Sequence, residues 1–167
     1  MTTAEAPARV TRVCTFRVGD VWLGVDVLAV QEVLLNETLT PIPLAPQAIN
    51  GLLNLRGDIV AAIGVQRRLW PDAAEAAAGP GDVVIVIDID GYDRVSLQVD
   101  DVGDVLDVSE LPLEPLPATV VGVLRELVLG AYQTPSALLL LLDVAALVDI
   151  SDVEPAGAED AHPDLRG

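Results

Sequence analysis

The segment Ile49-Asn50-Gly51-Leu52-Leu53-Asn54-Leu55-Arg56-Gly57-Asp58-Ile59-Val60 sets two polar side chains, Asn54 and Arg56, among residues otherwise fit for a core. A guanidinium in such surroundings must reach solvent, a carboxylate or backbone carbonyls, because unpaired burial costs on the order of several kcal/mol. Two uses remain open. Arg56-Gly57 is a hairpin turn whose arginine faces water, or it is an arginine that recognises a partner. Catalytic constellations fail mostly for want of parts. His162 is the only histidine, so no histidine-based triad, proton relay or multi-histidine metal site can be assembled. The chain has no lysine, which excludes a phosphate loop closed by one. A carboxylate pair for acid–base hydrolysis would need burial and opposed pKa shifts, and it stands as the one enzymatic alternative. Asp88-x-Asp90-Gly91-x-Asp93 resembles a calcium loop only in part. The sixth position, where that loop needs glycine, is Asp93, and the twelfth is Val99, so a polar hairpin turn is expected instead. Neither a cofactor nor a metal is expected.

Charge narrows the partners. The formal net charge is -17, and all of it lies in the second half. Residues 1–70 hold six acids and six arginines, whereas residues 71–167 set 20 acids against Arg94, Arg125 and Arg166. Such a field repels phosphate backbones and offers anionic lipid no basic face, so neither nucleic-acid binding nor membrane insertion is expected. The run Asp100, Asp101, Asp104, Asp107, Glu110 and Glu114 is a solvated face or a docking rim for a basic partner. No apolar run approaches the roughly 20 residues that a bilayer-crossing helix needs, and the N-terminus does not read as a signal peptide. Cys14, the sole cysteine, rules out an intrachain disulfide, suits a reducing cytoplasm and reads as a core filler.

The elements that position these residues follow from periodicity. Cys14, Phe16 and Val18 alternate with polar neighbours, Gly19-Asp20 turns the chain, and a strand with Leu23 and Val25 follows. Asp26 is expected to cap a short helix carrying Val27, Val30, Val33 and Leu34 on one face. Three prolines hold Thr40 to Pro46 extended, and a hairpin is expected to fold around Arg56-Gly57-Asp58. The second half restarts with Val83 to Ile89, a turn at Asp90 to Asp93 and a strand from Arg94 to Val99. Asp100 then precedes Val102, Val105 and Val108 as Asp26 precedes Val27, Val30 and Val33. Leu127 to Tyr132 and Ala137 to Leu142 echo the earlier hairpin. The chain reads as a weak internal duplication of short strands, which favours an all-β barrel or sandwich. Residues 1–11 and the acidic 151–167 are expected to be disordered tails. The ordered domain is expected at 12–150, with lobes at about 12–70 and 83–150 and a small-residue linker at 71–82.

The ordered pattern resembles the chemotaxis coupling (CheW-like) family. INGLLNLRGDIVAAIGV, Ile49 to Val65, is similar to the family's Gly followed by Asn-Leu-Arg-Gly and a strand. TFRVGDVWLGVDVLAVQEVL resembles its opening hairpin and Val-Gln-Glu, VVIVIDIDGYDRVSLQVDDVGDVLDV the opening of its second half, and LLLLLDVAALV its closing strand and helix. The likeness spans about residues 12–150. It implies two intertwined, five-stranded SH3-like barrels with short helices and an apolar groove between them. It also implies a non-catalytic cytoplasmic adaptor that links the cytoplasmic tip of chemoreceptors to the regulatory domain of a CheA-type histidine kinase. Matched residue by residue, Val30 and Glu32, then Gly51, Asn54, Arg56 and Gly57, then Val102 and Val105, are the implied partner-binding positions. The family's strand after the signature carries a proline and an aspartate where this chain has Ala61 and Gly64. A diverged scaffold or kinase-regulatory module outside motility is therefore the alternative.

Overall fold

A computed structural model describes residues 10–71 and 83–149. The expected tails, the linker and His162 lie outside the described residues, save for Val10, Thr11 and Pro71. Ten strands and three one-turn helices follow in the order β1 (Arg12–Val18), β2 (Val21–Asp26), β3 (Val30–Leu35), β4 (Ile49–Leu55), β5 (Asp58–Gly64), α1 (Val65–Leu69), β6 (Val83–Ile87), β7 (Val95–Val99), β8 (Asp101–Asp107), α2 (Val123–Leu127), β9 (Val128–Gln133), β10 (Leu138–Leu142) and α3 (Val144–Val148). They form two five-stranded sheets, ordered β8-β1-β2-β10-β9 and β3-β6-β7-β5-β4. Each sheet takes a hairpin from one half of the chain and its other three strands from the other half.

This exchange is a near-exact duplication. Cys14 pairs with Val25 on one side and Val105 on the other, and Ile85 pairs with Leu97 and Val33 in the same way. Leu140 runs parallel beside Leu23 as Ala61 does beside Val95. Even the isolated bridges match. Thr40 exchanges backbone hydrogen bonds with Leu52, and Glu114 does so with Ala131, each beside a glycine that lets the crossing segment approach. A Cβ on Gly51 would fall 2.8 Å from the Thr40 carbonyl oxygen, and one on Gly130 would fall 2.7 Å from that of Glu114.

Each sheet curls over a small core of its own. Leu34 of β3 packs against the Leu55, Val60 and Val86 cluster, which brings the outer strands of that sheet together, and Val13, Val108, Tyr132, Leu139 and Leu141 fill the other lobe. The main core is shared. Phe16 and Leu23 meet Ile85, Ile87 and Leu97 between the lobes, with Leu142 and Leu147 closing the cluster. Each such side chain contributes about 1.5–3 kcal/mol by leaving water. Arg68 adds a polar tie between the halves by donating to the carbonyls of Leu147 (3.0 Å), Ala146 (2.9 Å) and Asp149 (3.1 Å), the open end of α3.

Two local expectations are corrected. Asp26 does cap, accepting from the Leu28 amide at 3.0 Å, but the turn it starts is 3-10 and ends at Ala29. Val30 and Glu32 then lie on a strand rather than a helix, and Val102 and Val105 do likewise on β8. Each strand pairs along its length, apart from one bulge, with β6 or β1, and valine-rich runs suit a pleated surface better than a one-turn helix. The matching positions are Val30 with Val102 and Val33 with Val105, three residues away from the register that valine spacing indicated. β8 also lies against β1, so Asp107 faces Arg12 and Asp101 faces Arg17 across the ladder. The acids of β8 thus share a lobe with the arginines of β1, so the strand exchange sets acids of the second half of the chain beside arginines of the first.

Two outcomes follow from this packing. Gly51→Ala should destabilise the fold by about 1–3 kcal/mol in urea titration, because its neighbour is backbone and cannot step aside. Cys14 is buried, and burial pushes its thiol pKa up. Iodoacetamide at about pH 8 should therefore leave the folded protein unmodified and label it once urea unfolds it.

Candidate functional site: a charged turn at one end of a lobe

The hairpin β4–β5 turns through two central residues, Arg56 (φ 51°) and Gly57 (φ 94°), while Leu55 and Asp58 pair across its base. Both positive angles make it a type I′ turn, whose twist matches that of the flanking strands. Glycine adopts such an angle freely, whereas an arginine there costs about 1 kcal/mol or more. Asn54 offsets part of this cost, since its Oδ1 accepts the Gly57 amide at 3.0 Å. Asn54 thus shapes the turn. The turn in turn thrusts the Arg56 side chain away from the sheet, 66% exposed, where it donates to the Glu32 carboxylate on β3.

Glu32 on β3 and Arg56 in the turn are 24 residues apart, and β3 pairs with neither β4 nor β5, so their contact is a tertiary one. A second pair stands beside it. Arg94, just before β7, donates to Asp58 at 2.8 Å and to the Gln31 Oε1 at 3.3 Å. The end of this lobe therefore carries Glu32, Arg56, Asp58 and Arg94 with balanced charge, held by β3, by the β4–β5 turn and by the starts of β5 and β7. Sequence reasoning missed Asp58, Arg94 and Gln31. The available signal was the alternation of Arg56 and Asp58 about a turn glycine, but Arg94 joins them only through the parallel pairing of β5 and β7.

The other positions named from sequence distribute differently. Val30 and Val102 are both half-buried against the shared core, and Val105 is 48% exposed on the outer strand β8. Gly51 is buried beneath Thr40 and serves the fold. The structure thus gathers Glu32, Asn54, Arg56 and Gly57 at one turn, with Val30 on the strand that bears Glu32. The departure at Gly64 also has a physical account. Its counterpart in the duplication is Asp143, which caps α3 by accepting from the Ala146 amide at 3.2 Å. Gly64 leaves α1 without a side-chain cap, and Asn50 occupies the space a Cβ would need while donating to Gln98. Chemically, this end of the lobe offers an exposed guanidinium and carboxylates in fixed positions, which suits recognition of a protein surface.

The Glu32–Arg56 pair is solvated, and its contribution to folding should be correspondingly small. A double-mutant cycle with Glu32→Gln and Arg56→Ala, read by urea unfolding, is expected to give a coupling of at most about 1 kcal/mol. A larger value would mean that the pair is a structural element first.

A CheW-like domain model matches residues 12–152. The "Chemotaxis protein CheW" of Rhizobium meliloti (strain 1021) is 30% identical over 141 residues, covering 84% of this chain and 89% of that protein. The protein of the same name from Treponema pallidum (strain Nichols) is 24% identical over 144 residues, covering 84% and 83%. Among solved structures, the scaffolding protein TtCheW from Thermoanaerobacter tengcongensis superposes with a TM-score of 0.71 at 25% identity, covering 87% of this chain and 97% of that one. With this match over nearly all the described residues, and with two SH3-like lobes built as described, the chain belongs to the CheW-like family.

Proposed function

We propose that this protein is a non-catalytic adaptor of chemotaxis-type signalling that couples chemoreceptors to a CheA-type histidine kinase in the cytoplasm. The observation that carries the reading is the ion-paired Arg56, displayed on a left-handed turn at the end of one lobe of a CheW-like scaffold. An arginine in an unfavourable backbone conformation, exposed and oriented by a carboxylate, has little value for folding and considerable value for binding. The names of the relatives, chemotaxis proteins and a scaffolding protein, point the same way. In this reading the receptor's cytoplasmic tip and the kinase's regulatory domain are the partners. Val30, Glu32, Asn54, Arg56, Gly57, Val102 and Val105 form the binding positions, with Gly51 supporting them from within. The apolar members supply contact area, and Glu32 with Arg56 sets orientation through charge-assisted hydrogen bonds. No cofactor takes part.

Arg56→Ala and Val30→Ala should each weaken co-sedimentation with receptor-containing membranes and kinase, by about tenfold in apparent affinity, with the far-UV circular dichroism unchanged. Normal binding by both variants would remove these residues from the interface. Steady substrate turnover abolished by one acid-to-amide change would instead favour a carboxylate hydrolase.

A further inference from the structure

The duplication lets the charged end of one lobe be compared, residue by residue, with the corresponding end of the other. Pairing registers match Val102 with Val30 and Val105 with Val33, so Gly103 and Asp104, at the bulge between them, fall at the places of Gln31 and Glu32. The parallel ladders put Trp22 at the place of Arg94. In the β9–β10 turn, Gln133 and Leu138 pair as Asn54 and Ile59 do, so Pro135 and Ser136 occupy the places of Arg56 and Gly57. The acid is kept and the arginine is gone. Proline cannot take the positive φ of Arg56, and this turn closes instead by Thr134 hydrogen bonds to Ala137.

The consequence is a carboxylate whose counterpart holds a guanidinium within its own chain while it holds none. Among the described residues no arginine lies within ion-pair distance of Asp104, and Arg17, on the neighbouring strand, pairs with Asp101 at 3.7 Å. The backbone at Asp104 is nevertheless held firmly, since the Thr15 hydroxyl donates to its carbonyl at 2.6 Å. Beside it the Trp22 indole lies over Gly103, so close that a Cβ there would fall 2.9 Å from Cζ3. Val105 and Leu138, each 48% exposed, add apolar surface on β8 and β10.

We propose that Asp104 and Trp22 form an acceptor site for an arginine presented by a partner protein, which supplies in trans the cation that Arg56 supplies to Glu32 in cis. The guanidinium would donate a charge-assisted hydrogen bond from its N–H to the carboxylate and rest against the part of the half-buried indole that reaches solvent, a combination that favours arginine over lysine. Exposed Val105 and Leu138 select an arginine flanked by apolar residues. This site deepens the adaptor reading and rests on it, by naming the chemistry of a second contact at the opposite lobe.

The test uses full-length ¹⁵N-labelled protein titrated with acetyl-arginine N-methylamide. The chain has two tryptophans, so Trp70 serves as an internal control. The Trp22 indole N–H and the Asp104 amide should shift in a saturable way while the Trp70 indole does not, and the uncharged citrulline analogue should produce no shift. Asp104→Asn should weaken the response about fivefold or more, and Pro135→Arg should remove it by filling the site from within. Both variants should melt within a few degrees of the parent. Equal response to citrulline, indifference to Asp104→Asn, or no response at Trp22 would overturn the site. Co-sedimentation with receptor and kinase, run in parallel, separates the two readings. Loss of those complexes with the arginine response intact refutes the adaptor reading alone. Complexes unaffected by both variants refute the use of this site by either partner. Concentration-dependent self-association that Asp104→Asn abolishes in sedimentation velocity would support the site with a second copy of the chain as the arginine's source.

Discussion

Everything in this molecule depends on the exchange of strands between its two halves. Neither half can complete a sheet alone, because each sheet joins two strands of one half to three of the other. The large apolar cluster therefore lies between the lobes, where Phe16 and Leu23 meet Ile85 and Leu97, and the lobe interiors are smaller. Burial of that shared cluster favours the whole arrangement at once, which makes the lobes one cooperative unit rather than two domains on a linker. Glycines at the crossing points permit it, since the segments at Thr40 and Glu114 close on backbone where no side chain fits.

The same duplication explains why the two ends of the molecule differ so usefully. A common scaffold fixes equivalent positions, and the residues placed there then diverge. One lobe end is charged and internally balanced through Glu32, Arg56, Asp58 and Arg94. The other replaces two arginines with Trp22 and Pro135 and keeps an acid. The outer strands diverge in step. β8 carries Asp101, Asp104 and Asp107 along a free edge, which also deters unwanted strand pairing, whereas β3 exposes Val33 and Leu35. Two ends with unlike chemistry fit the proposed role of holding two different surfaces without confusing them.

Strain and stability are divided accordingly. The least comfortable backbone near the charged end belongs to Arg56, and Asn54 and Gly57 are arranged to hold it. The shared core carries the stability, and the exposed ion pairs add little to it. Arg68 stands apart from both roles. It spends its guanidinium on three carbonyls at the end of α3 and binds the last helix of the second half to the first.

Local alternation in the chain was enough to find the four hairpins, many apolar core positions and the repeat, because strand periodicity and turn residues act over a few neighbours. The linear order of motifs was enough for the family. The turn at Arg56-Gly57 and its polar chemistry were legible in the same way. The element type of Val30 to Leu35 and of Asp101 to Asp107 was not, since valines three apart fit a helix face as well as a strand. The ladder to a distant partner strand decided between them. Nor did the sequence reveal that Glu32 holds Arg56, that Arg94 joins Asp58, or that Asp104 lacks an arginine where its twin has one. Those facts depend on which strands lie side by side, and that is settled only when two halves of one chain bury a single core together.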